Sequence, residues 1–319
     1  MAGKRIAYQP VNSLKSPRFT GVRTFMRLPH GSDLEPADVA IFGVPFDWAT
    51  SYRAGARFGP AAIRDASSIL KTYCPMVGVD LSENLSILDY GDFATSPGYI
   101  EDSFDKIEAQ IATLCKAGVI PVGMGGDHAI SLPLLRGLTK VHGGPVALLH
   151  FDAHSDTAPD YFGHPYNHGT PFYWALEEGL IQPEHSIQVG IRGPLYGKDS
   201  LDYPLSKGMR IISGPELHDM GIAKAVSIIR ERIANQPVYV TFDIDFLDAA
   251  YAPGTGTPEV GGFTTYQAQR LLIDSCLGMD LKGMDLVEVL PAHDHGDITA
   301  LAGASLMHAF LAVLAKNRS

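Results

Sequence analysis

Residues 146–157 read VALLHFDAHSDT, and this stretch decides the fold class. Its first six residues form a mostly apolar run without alternation, which is typical of a strand buried on both faces of a parallel sheet. Asp152, His154 and Asp156 follow at a spacing of two, so in an extended chain their side chains share one face. The stretch therefore predicts a buried strand whose carboxyl end carries three potential metal ligands.

Similar β-rich runs alternate with segments of helical periodicity along the rest of the chain. They are VAIFGVP near 39, ILDYG near 87, VIPVGMGG from 119, SIQVGIR from 186, MRIIS from 209, VYVTF from 238 and MDLVEVLP from 284. The predicted helices between them include 102–117, 130–141, 222–234 and 265–277. This βαβα order predicts a three-layer α/β/α fold with a mostly parallel sheet of about eight strands.

The domain organisation is predicted from what the sequence lacks. No internal repeat, low-complexity tract or linker divides the 319 residues, so we expect one domain over residues 1–319. Residues 1–35 are rich in Pro, Ser and Arg and are expected to form an N-terminal surface arm. The segment 298–315 approaches the length that spans a bilayer, but it contains Thr299, Ser305 and His308. We expect a buried C-terminal helix rather than a membrane anchor.

Charge and cysteine content narrow the class further. The formal net charge is −10, and no run of Lys and Arg is present that would neutralise a phosphate backbone, so nucleic acid is not expected as a partner. The three cysteines are scattered and have no zinc-binding spacing, which favours a reducing compartment. The N-terminus lacks the apolar core of a secretory signal. These features predict a cytoplasmic protein.

Two further predicted strands end in the same kinds of residue. VYVTF runs into Asp243 and Asp245, and VIPVGMGG runs into His128 after a glycine pair that permits a sharp turn. Gathering these carboxylates in one desolvated crevice would be costly without cations, and two divalent ions would balance four aspartates. The six predicted metal ligands are His128, Asp152, His154, Asp156, Asp243 and Asp245.

The donor set predicts both the metal and the chemistry. Carboxylates and imidazoles without thiolates favour Mn²⁺, with Ni²⁺, Co²⁺ and Fe²⁺ also compatible. Two such ions about 3.5–4 Å apart can share a water and lower its pKa from about 15.7 toward about 7. The sequence therefore predicts a hydrolase that depends on two metal ions.

The motifs together resemble those of a known family. GGDH at 125–128, DAHSD at 152–156 and FDID at 242–245 resemble the three metal signatures of the ureohydrolases, the arginase and agmatinase family. The resemblance continues through SYRAGARFGPAAIR from 51, NHGTPF from 167, APGTGTPEVGG from 252 and GMDLVEVLPAHDHGDITALAGA from 283. The resemblance covers the chain from about residue 38 to the end. The segments GARFGP and GTGTPE resemble the agmatinase and guanidinobutyrase branch more than they resemble arginase.

The resemblance implies an arginase-like fold, two metal sites and a homo-oligomer, either a trimer or a hexamer. One ion would be held by His128, Asp152, Asp156 and Asp243, and the other by His154, Asp152, Asp243 and Asp245. Asp152 and Asp243 would bridge the two ions.

Three residues are predicted to act on the substrate. Glu288 lies inside an apolar strand, where a carboxylate needs a cationic partner: a substrate guanidinium, as the resemblance also implies, or an internal Arg. His168 matches the family's histidine near the active-site mouth, and its ordinary pKa near 6.5 suits proton transfer to a leaving amine. Asp245 is a candidate proton relay. Asp127 is expected to cap the following helix.

The implied reaction cleaves a small guanidino compound to urea and an amine. An agmatine-like substrate is expected, while a guanidino acid (guanidinobutyrate or guanidinopropionate) or an alkylguanidine stays open. The loop 157–168 contains no Lys or Arg and leaves Asp160 available for an ammonium, whereas Arg192 is a candidate partner for an acid. Two rival functions are a zinc deacetylase on a related fold and a non-catalytic metal-binding partner subunit.

Overall fold

The computed structural model describes residues 6–319. Its strands are β1 (Val39–Gly43), β2 (Tyr73–Cys74), β3 (Val79–Asp80), β4 (Ile87–Asp92), β5 (Ile120–Met124), β6 (Ala147–Phe151), β7 (Ile187–Ile191), β8 (Arg210–Ser213), β9 (Pro237–Asp243) and β10 (Asp280–Val287). Its helices are α1 (Gly59–Ser67), α2 (Leu81–Asn84), α3 (Ile100–Lys116), α4 (Ser131–His142), α5 (Pro171–Glu177), α6 (Asp202–Ser206), α7 (Gly214–Ile233), α8 (Thr265–Cys276) and α9 (Ile298–Lys316).

Eight of these strands form one central sheet in the order β4-β1-β5-β10-β9-β6-β7-β8. Each neighbouring pair in it is parallel. The eight strands correspond to the eight runs identified in the sequence, so the predicted sheet is confirmed. β2 and β3 form a separate antiparallel pair that was not predicted, because two residues are too few to carry a recognisable period.

The sheet is covered on both faces by helices. Along β6, Leu149 packs into the core that contains α1, α7, α8 and α9, whereas Leu148 packs into the core that contains α3, α4 and α5. Successive side chains of a strand point to opposite faces, so a strand covered on both sides is mostly apolar at consecutive positions. The predicted three-layer α/β/α arrangement is thus confirmed.

The helix boundaries agree with the sequence except at α7. This helix was expected from residue 222, but it begins at Gly214, where Ser213 and Glu216 form a capping box. Gly221 has a φ of 73° and kinks the helix one residue before the predicted start. The apolar periodicity therefore identified only the part beyond the kink.

The C-terminal helix α9 is long and apolar enough to cross a membrane, but 78% of its most apolar window is buried inside the protein. It packs against α1 and α8. The expected buried C-terminal helix is confirmed.

The N-terminal segment lies along the β4 edge of the sheet. The backbone N–H of Tyr8 donates to Ser86 Oγ, and that of Phe25 donates to Asp89 Oδ2 at 2.8 Å. Asp89 also receives two N–H groups of Arg64, at 2.9 and 3.0 Å. Residues 1–5 of the predicted arm lie outside the described residues, and the assignment of the chain to one domain stays a prediction.

Four adjacent strands of this order position the site. β5, β10, β9 and β6 are consecutive neighbours at the centre of the sheet, and their carboxyl ends lie at the same edge. Asp243 is the last residue of β9, and His128, Glu288 and Asp152 follow the ends of β5, β10 and β6. In open parallel sheets this edge is where ligands bind, because the connecting loops leave a crevice there.

Candidate metal centre

The predicted metal ligands meet at one point around His128. Its Nδ1 lies 2.9 Å from Asp156 Oδ2, 3.1 Å from Asp152 Oδ2 and 3.2 Å from Asp243 Oδ2. One ring nitrogen cannot donate to three carboxylates, and this buried Nδ1 makes no hydrogen bond of acceptable geometry. A cation placed among these four side chains would satisfy all of them.

The remaining two predicted ligands lie directly beside this group. His154 Nδ1 is 3.0 Å from Asp245 Oδ2 and 3.6 Å from Asp152 Oδ1. Asp245 Oδ2 is buried without a hydrogen-bond partner. Asp152 thus faces both histidines, with a different oxygen toward each, which is the arrangement a bridging ligand requires.

The backbone after each strand holds these carboxylates in place. Asp152 Oδ1 accepts the N–H of His154 at 2.6 Å, and Asp243 Oδ1 accepts the N–H of Asp245 at 2.9 Å. Asp245 Oδ1 accepts the N–H of Ala153 at 3.1 Å. Asp152 and Asp243 each bind the backbone N–H two residues ahead, which forms a tight local turn and holds the carboxylate at the crevice.

Two residues at the site adopt a left-handed backbone conformation. The φ angle is 52° at Asp156 and 64° at Glu288. Such a conformation costs about 1–3 kcal/mol for residues other than glycine and concentrates at functional sites. At both positions the surrounding structure must supply this energy to direct a carboxylate into the crevice.

The electrostatics of the crevice call for positive charge. Burial raises the pKa of Asp243 well above its usual range, and the neighbouring charges of Asp245 and Asp152 raise it further. Burial and Asp152 likewise raise the pKa of Asp245 to about 6. Burial lowers the pKa of His128, but its three carboxylate neighbours more than reverse this, so the net shift is upward. Divalent cations would remove the repulsion that drives these shifts, so the residues present fit the metal ions that the sequence predicts.

Two residues that support the ligands were missed in the sequence. His150 Nε2 lies 2.7 Å from Asp152 Oδ2, and His150 Nδ1 accepts from Gln188 Nε2 at 3.0 Å. The signal for His150 was available, because it stands two residues before Asp152 on the same strand face. Glu259 Oε1 lies 3.5 Å from His154 Nε2. The positions of these two residues in the sequence do not predict that contact.

Asp127 has the structural role expected of it. Its Oδ1 accepts the N–H of Ala129 and caps the short 3-10 helix that starts at His128. Its Oδ2 accepts the N–H of Ala49 at 2.9 Å. The predicted cap is confirmed.

Glu288 is buried beside the metal ligands. Its Oε1 accepts the backbone N–H of His128 at 3.0 Å and lies 3.0 Å from His168 Nδ1. Its Oε2 is buried without a hydrogen-bond partner and faces Gly256. No Arg pairs with Glu288 among the described residues, so the alternative of an internal Arg partner is wrong.

His168 is held between two partners. Besides the contact to Glu288, its Nε2 lies 3.2 Å from the backbone N–H of Ser51 and 2.6 Å from the Ser51 hydroxyl. Burial lowers the pKa of His168, but the interaction with Glu288 raises it more, to about 9. This ring can therefore carry a proton next to the unpaired carboxylate oxygen.

A cavity of about 740 Å³ is lined in part by His154, His168 and two of the predicted carboxylate ligands, Asp156 and Asp243. Four tyrosines line it: Tyr52, Tyr161, Tyr196 and Tyr203. Its acidic lining residues are Asp156, Asp199, Asp243 and Glu259, and the lining of this cavity includes no Lys or Arg. Asp160, expected to be available for an ammonium, does not line the cavity and instead accepts the N–H of Gly163.

The other candidate for substrate recognition, Arg192, is occupied. Its Nη2 donates to the backbone carbonyls of Asp245, Leu247 and Glu259 at 2.8, 3.2 and 3.0 Å. Its Nε donates to the carbonyl of Val260 at 3.1 Å. The guanidinium therefore ties the loop after β9 together and is not free to bind a substrate carboxylate.

Known proteins share this fold and these motifs. A sequence profile of the Arginase family matches residues 37–312. The chain is 42% identical to the guanidinopropionase of Pseudomonas aeruginosa, covering 97% of this chain and 96% of that protein. It is 45% identical to the agmatinase of Proteus mirabilis, covering 92% of each. The solved structure of proclavaminate amidino hydrolase from Streptomyces clavuligerus superimposes with a TM-score of 0.90 at 39% identity, covering 95% of this chain and all of that one.

The three-layer α/β/α fold and the cluster of predicted ligands are those of the binuclear metal-dependent hydrolases. The chain belongs to the Arginase family.

Proposed function

We propose that this protein hydrolyses a small guanidino compound to urea and an amine. The observation that carries the proposal is Glu288 Oε2, a buried carboxylate oxygen without a hydrogen-bond partner at the edge of the metal crevice. An unpaired buried carboxylate is costly, and a guanidinium offers a planar pair of N–H donors that would satisfy it. The names of the relatives, a guanidinopropionase and an agmatinase, support the same substrate class.

Each residue at the site would have a distinct role in the proposed hydrolysis. Two divalent cations held by the six ligands would supply electrostatic stabilisation and a water of lowered pKa. Glu288 would orient the guanidinium, since its other oxygen is already held by the backbone of His128. Asp245 Oδ2 faces the crevice, so Asp245 would both help to hold a cation and take up a proton from the attacking water, and His168 would deliver one to the departing amine.

For the metal, we propose Mn²⁺. The donors are carboxylate oxygens and imidazole nitrogens without thiolate, a set that suits Mn²⁺, with Ni²⁺, Co²⁺ and Fe²⁺ as alternatives. The three cysteines are free thiols, which supports the proposed cytoplasmic location. We also propose a homo-oligomer, either a trimer or a hexamer, which light scattering would test.

Within the guanidino class, we propose an agmatine-like substrate. The cavity lining has acidic and tyrosine side chains but no Lys or Arg, so a cationic tail is favoured over a carboxylate. The alternative is a guanidino acid, supported by the 42% identity to a guanidinopropionase. A short alkylguanidine is a third option, since its tail needs no charged partner.

The test is a urea-release assay on the Mn²⁺-loaded protein. The panel contains agmatine, guanidinobutyrate, guanidinopropionate, arginine and simple alkylguanidines, and Asp152→Asn is assayed beside the wild type. We expect turnover of at least one panel member, and a loss of about 100-fold or more in the variant, because Asp152 faces both halves of the crevice. A retained rate in Asp152→Asn would contradict its bridging role.

The same preparation separates the rival functions. Elemental analysis should find close to two metal ions per chain, whereas the deacetylase alternative requires one. A metal-loaded protein that turns over no member of the panel would support the non-catalytic partner subunit and defeat the proposal.

A further inference from the structure

A second buried carboxylate lies in the sheet beneath the metal centre. Asp285 on β10 has no exposed surface, and its side chain accepts three hydrogen bonds from hydroxyl groups. Thr241 Oγ1 donates to Oδ1 at 2.5 Å, and Tyr239 and Ser131 donate to Oδ2 at 2.7 and 2.8 Å. Within the described chain no cationic side chain pairs with it. A carboxylate kept there with only neutral donors is expensive, so its position calls for a reason.

One of the three donors connects Asp285 to the metal centre. Thr241 Oγ1 lies 2.8 Å from His128 Nε2. Because the threonine hydroxyl gives its proton to Asp285, its oxygen is left to accept the proton of His128 Nε2–H. The ring then has its unprotonated nitrogen, Nδ1, toward the three carboxylates of the crevice.

The backbone fixes this relay. Thr241 and Asp285 are register partners on the adjacent strands β9 and β10, so their side chains emerge side by side on one face of the sheet. Both residues, and His128 itself, are fully buried. The chain of hydrogen bonds from Asp285 through Thr241 to His128 is therefore shielded from solvent. It is built on regular strands, where supporting residues hold a ligand most precisely.

We propose that Asp285 is a positioning residue that acts through Thr241 to hold His128 in the Nε2–H form and to make its Nδ1 a stronger ligand. Outer carboxylates of this kind orient metal-binding imidazoles and increase their basicity. The inference rests on the proposed metal centre and adds to it a pair of residues outside the ligand set.

Tyr239 offers a matched control. Tyr239→Phe removes one of the donors to Asp285 but leaves the path from Asp285 through Thr241 to His128 in place. If the hydroxyls merely stabilise the sheet, loss of either donor should have the same consequences. If the relay serves the metal, only the Thr241 substitution should weaken metal binding.

The experiment measures the Mn²⁺ dissociation constant by competition with a chromophoric chelator, after all proteins are stripped of metal. Thr241→Val is expected to raise the constant by about 10- to 100-fold, whereas Tyr239→Phe should stay within about 3-fold of the wild type. Thr241→Ser, which restores the hydroxyl, should recover wild-type affinity. Thermal unfolding of the metal-free forms serves as the second readout, and there Thr241→Val and Tyr239→Phe are expected to lose comparable stability.

Equal changes in Mn²⁺ affinity for Thr241→Val and Tyr239→Phe, or no change for Thr241→Val, would overturn the positioning role while leaving the proposed function intact. A wild-type protein that binds none of Mn²⁺, Ni²⁺, Co²⁺ and Fe²⁺ would overturn both. Asp285→Asn is expected to weaken Mn²⁺ binding as Thr241→Val does, and if that variant does not fold, the comparison of the Thr241 variants decides the question.

Discussion

Glu288 and His168 lie 120 positions apart in the chain, yet Glu288 Oε1 and His168 Nδ1 are only 3.0 Å apart. The pair connects the end of β10 to the loop after β6. One member has an unpaired oxygen that fits a guanidinium, and the other can hold a proton. The contact therefore joins the proposed substrate anchor to the proposed proton donor.

Replacing Glu288 with Gln should separate substrate binding from metal binding. Gln keeps the shape and an oxygen for the N–H of His128, but it loses the charge that pairs with a guanidinium. We expect kcat/KM for urea release to fall by about 100-fold, the cost of removing one partner of a buried charge pair. Metal content should stay at the wild-type level. The exposed Glu101→Gln serves as the control, and a rate for Glu288→Gln within 3-fold of it would refute the anchor.

The protonation of His168 should make a pH-dependent contribution to stability. The folded-state pKa is about 9, above the usual value near 6.5, so protonated His168 stabilises the folded chain. This contribution is fully present below about pH 6.5 and is lost as the pH rises through about 9. Denaturant unfolding of the metal-free wild type and His168→Gln from pH 6 to pH 10 should show their difference in stability shrinking. A difference that is constant or grows with pH would be inconsistent with the raised pKa, and the exposed His295→Gln provides the baseline.

The buried ion pair between Arg64 and Asp89 should contribute far more to the free energy of unfolding than the exposed pair between Arg23 and Asp65. Asp89 is buried and accepts two N–H groups of Arg64 as well as the backbone of Phe25. Asp89→Asn is expected to lower the free energy of unfolding by about 3 kcal/mol, the lower end of the cost of breaking a buried pair, because the buried guanidinium keeps only the half-exposed Asp92 as counter-charge. Asp65→Asn breaks the exposed pair with Arg23 and should cost less than about 1 kcal/mol. Similar losses in the two variants would show that burial does not determine the effect.

Arg192 should support the loop after β9 and not select the substrate. Arg192→Met removes the donors to several backbone carbonyls, including that of Asp245, so stability and total activity should fall. The ratio of kcat/KM for guanidinobutyrate to that for agmatine should stay within about 3-fold of wild type. A selective loss of guanidinobutyrate turnover would instead identify Arg192 as a carboxylate partner.

The sequence predicted the central sheet because buried parallel strands are mostly apolar without alternation, and all eight were recognisable as β-rich runs. It also predicted that the six candidate ligands would lie together, since parallel strands end at a common edge. It did not predict the contacts that depend on loop conformation. Asp160 falls outside the cavity and Arg192 is bound by carbonyls, and neither outcome is encoded in the spacing of nearby residues. His150 was missed because it belongs to none of the three metal motifs, so its place beside Asp152 on the same strand face was not used.

Because three strand ends form the metal site only when the chain is folded, the stability of the fold should depend on the free metal concentration around the protein. In the unfolded chain, His128 and Asp245 are separated by much of the sequence, so cations would find no assembled site there. Ions that bind only the folded form stabilise it by mass action, in proportion to the logarithm of their free concentration. When the metal that occupies the site becomes scarce, we therefore expect unfolding and proteolytic turnover of the chain to increase, so the supply of metal would set how much of this protein persists as well as how fast it works.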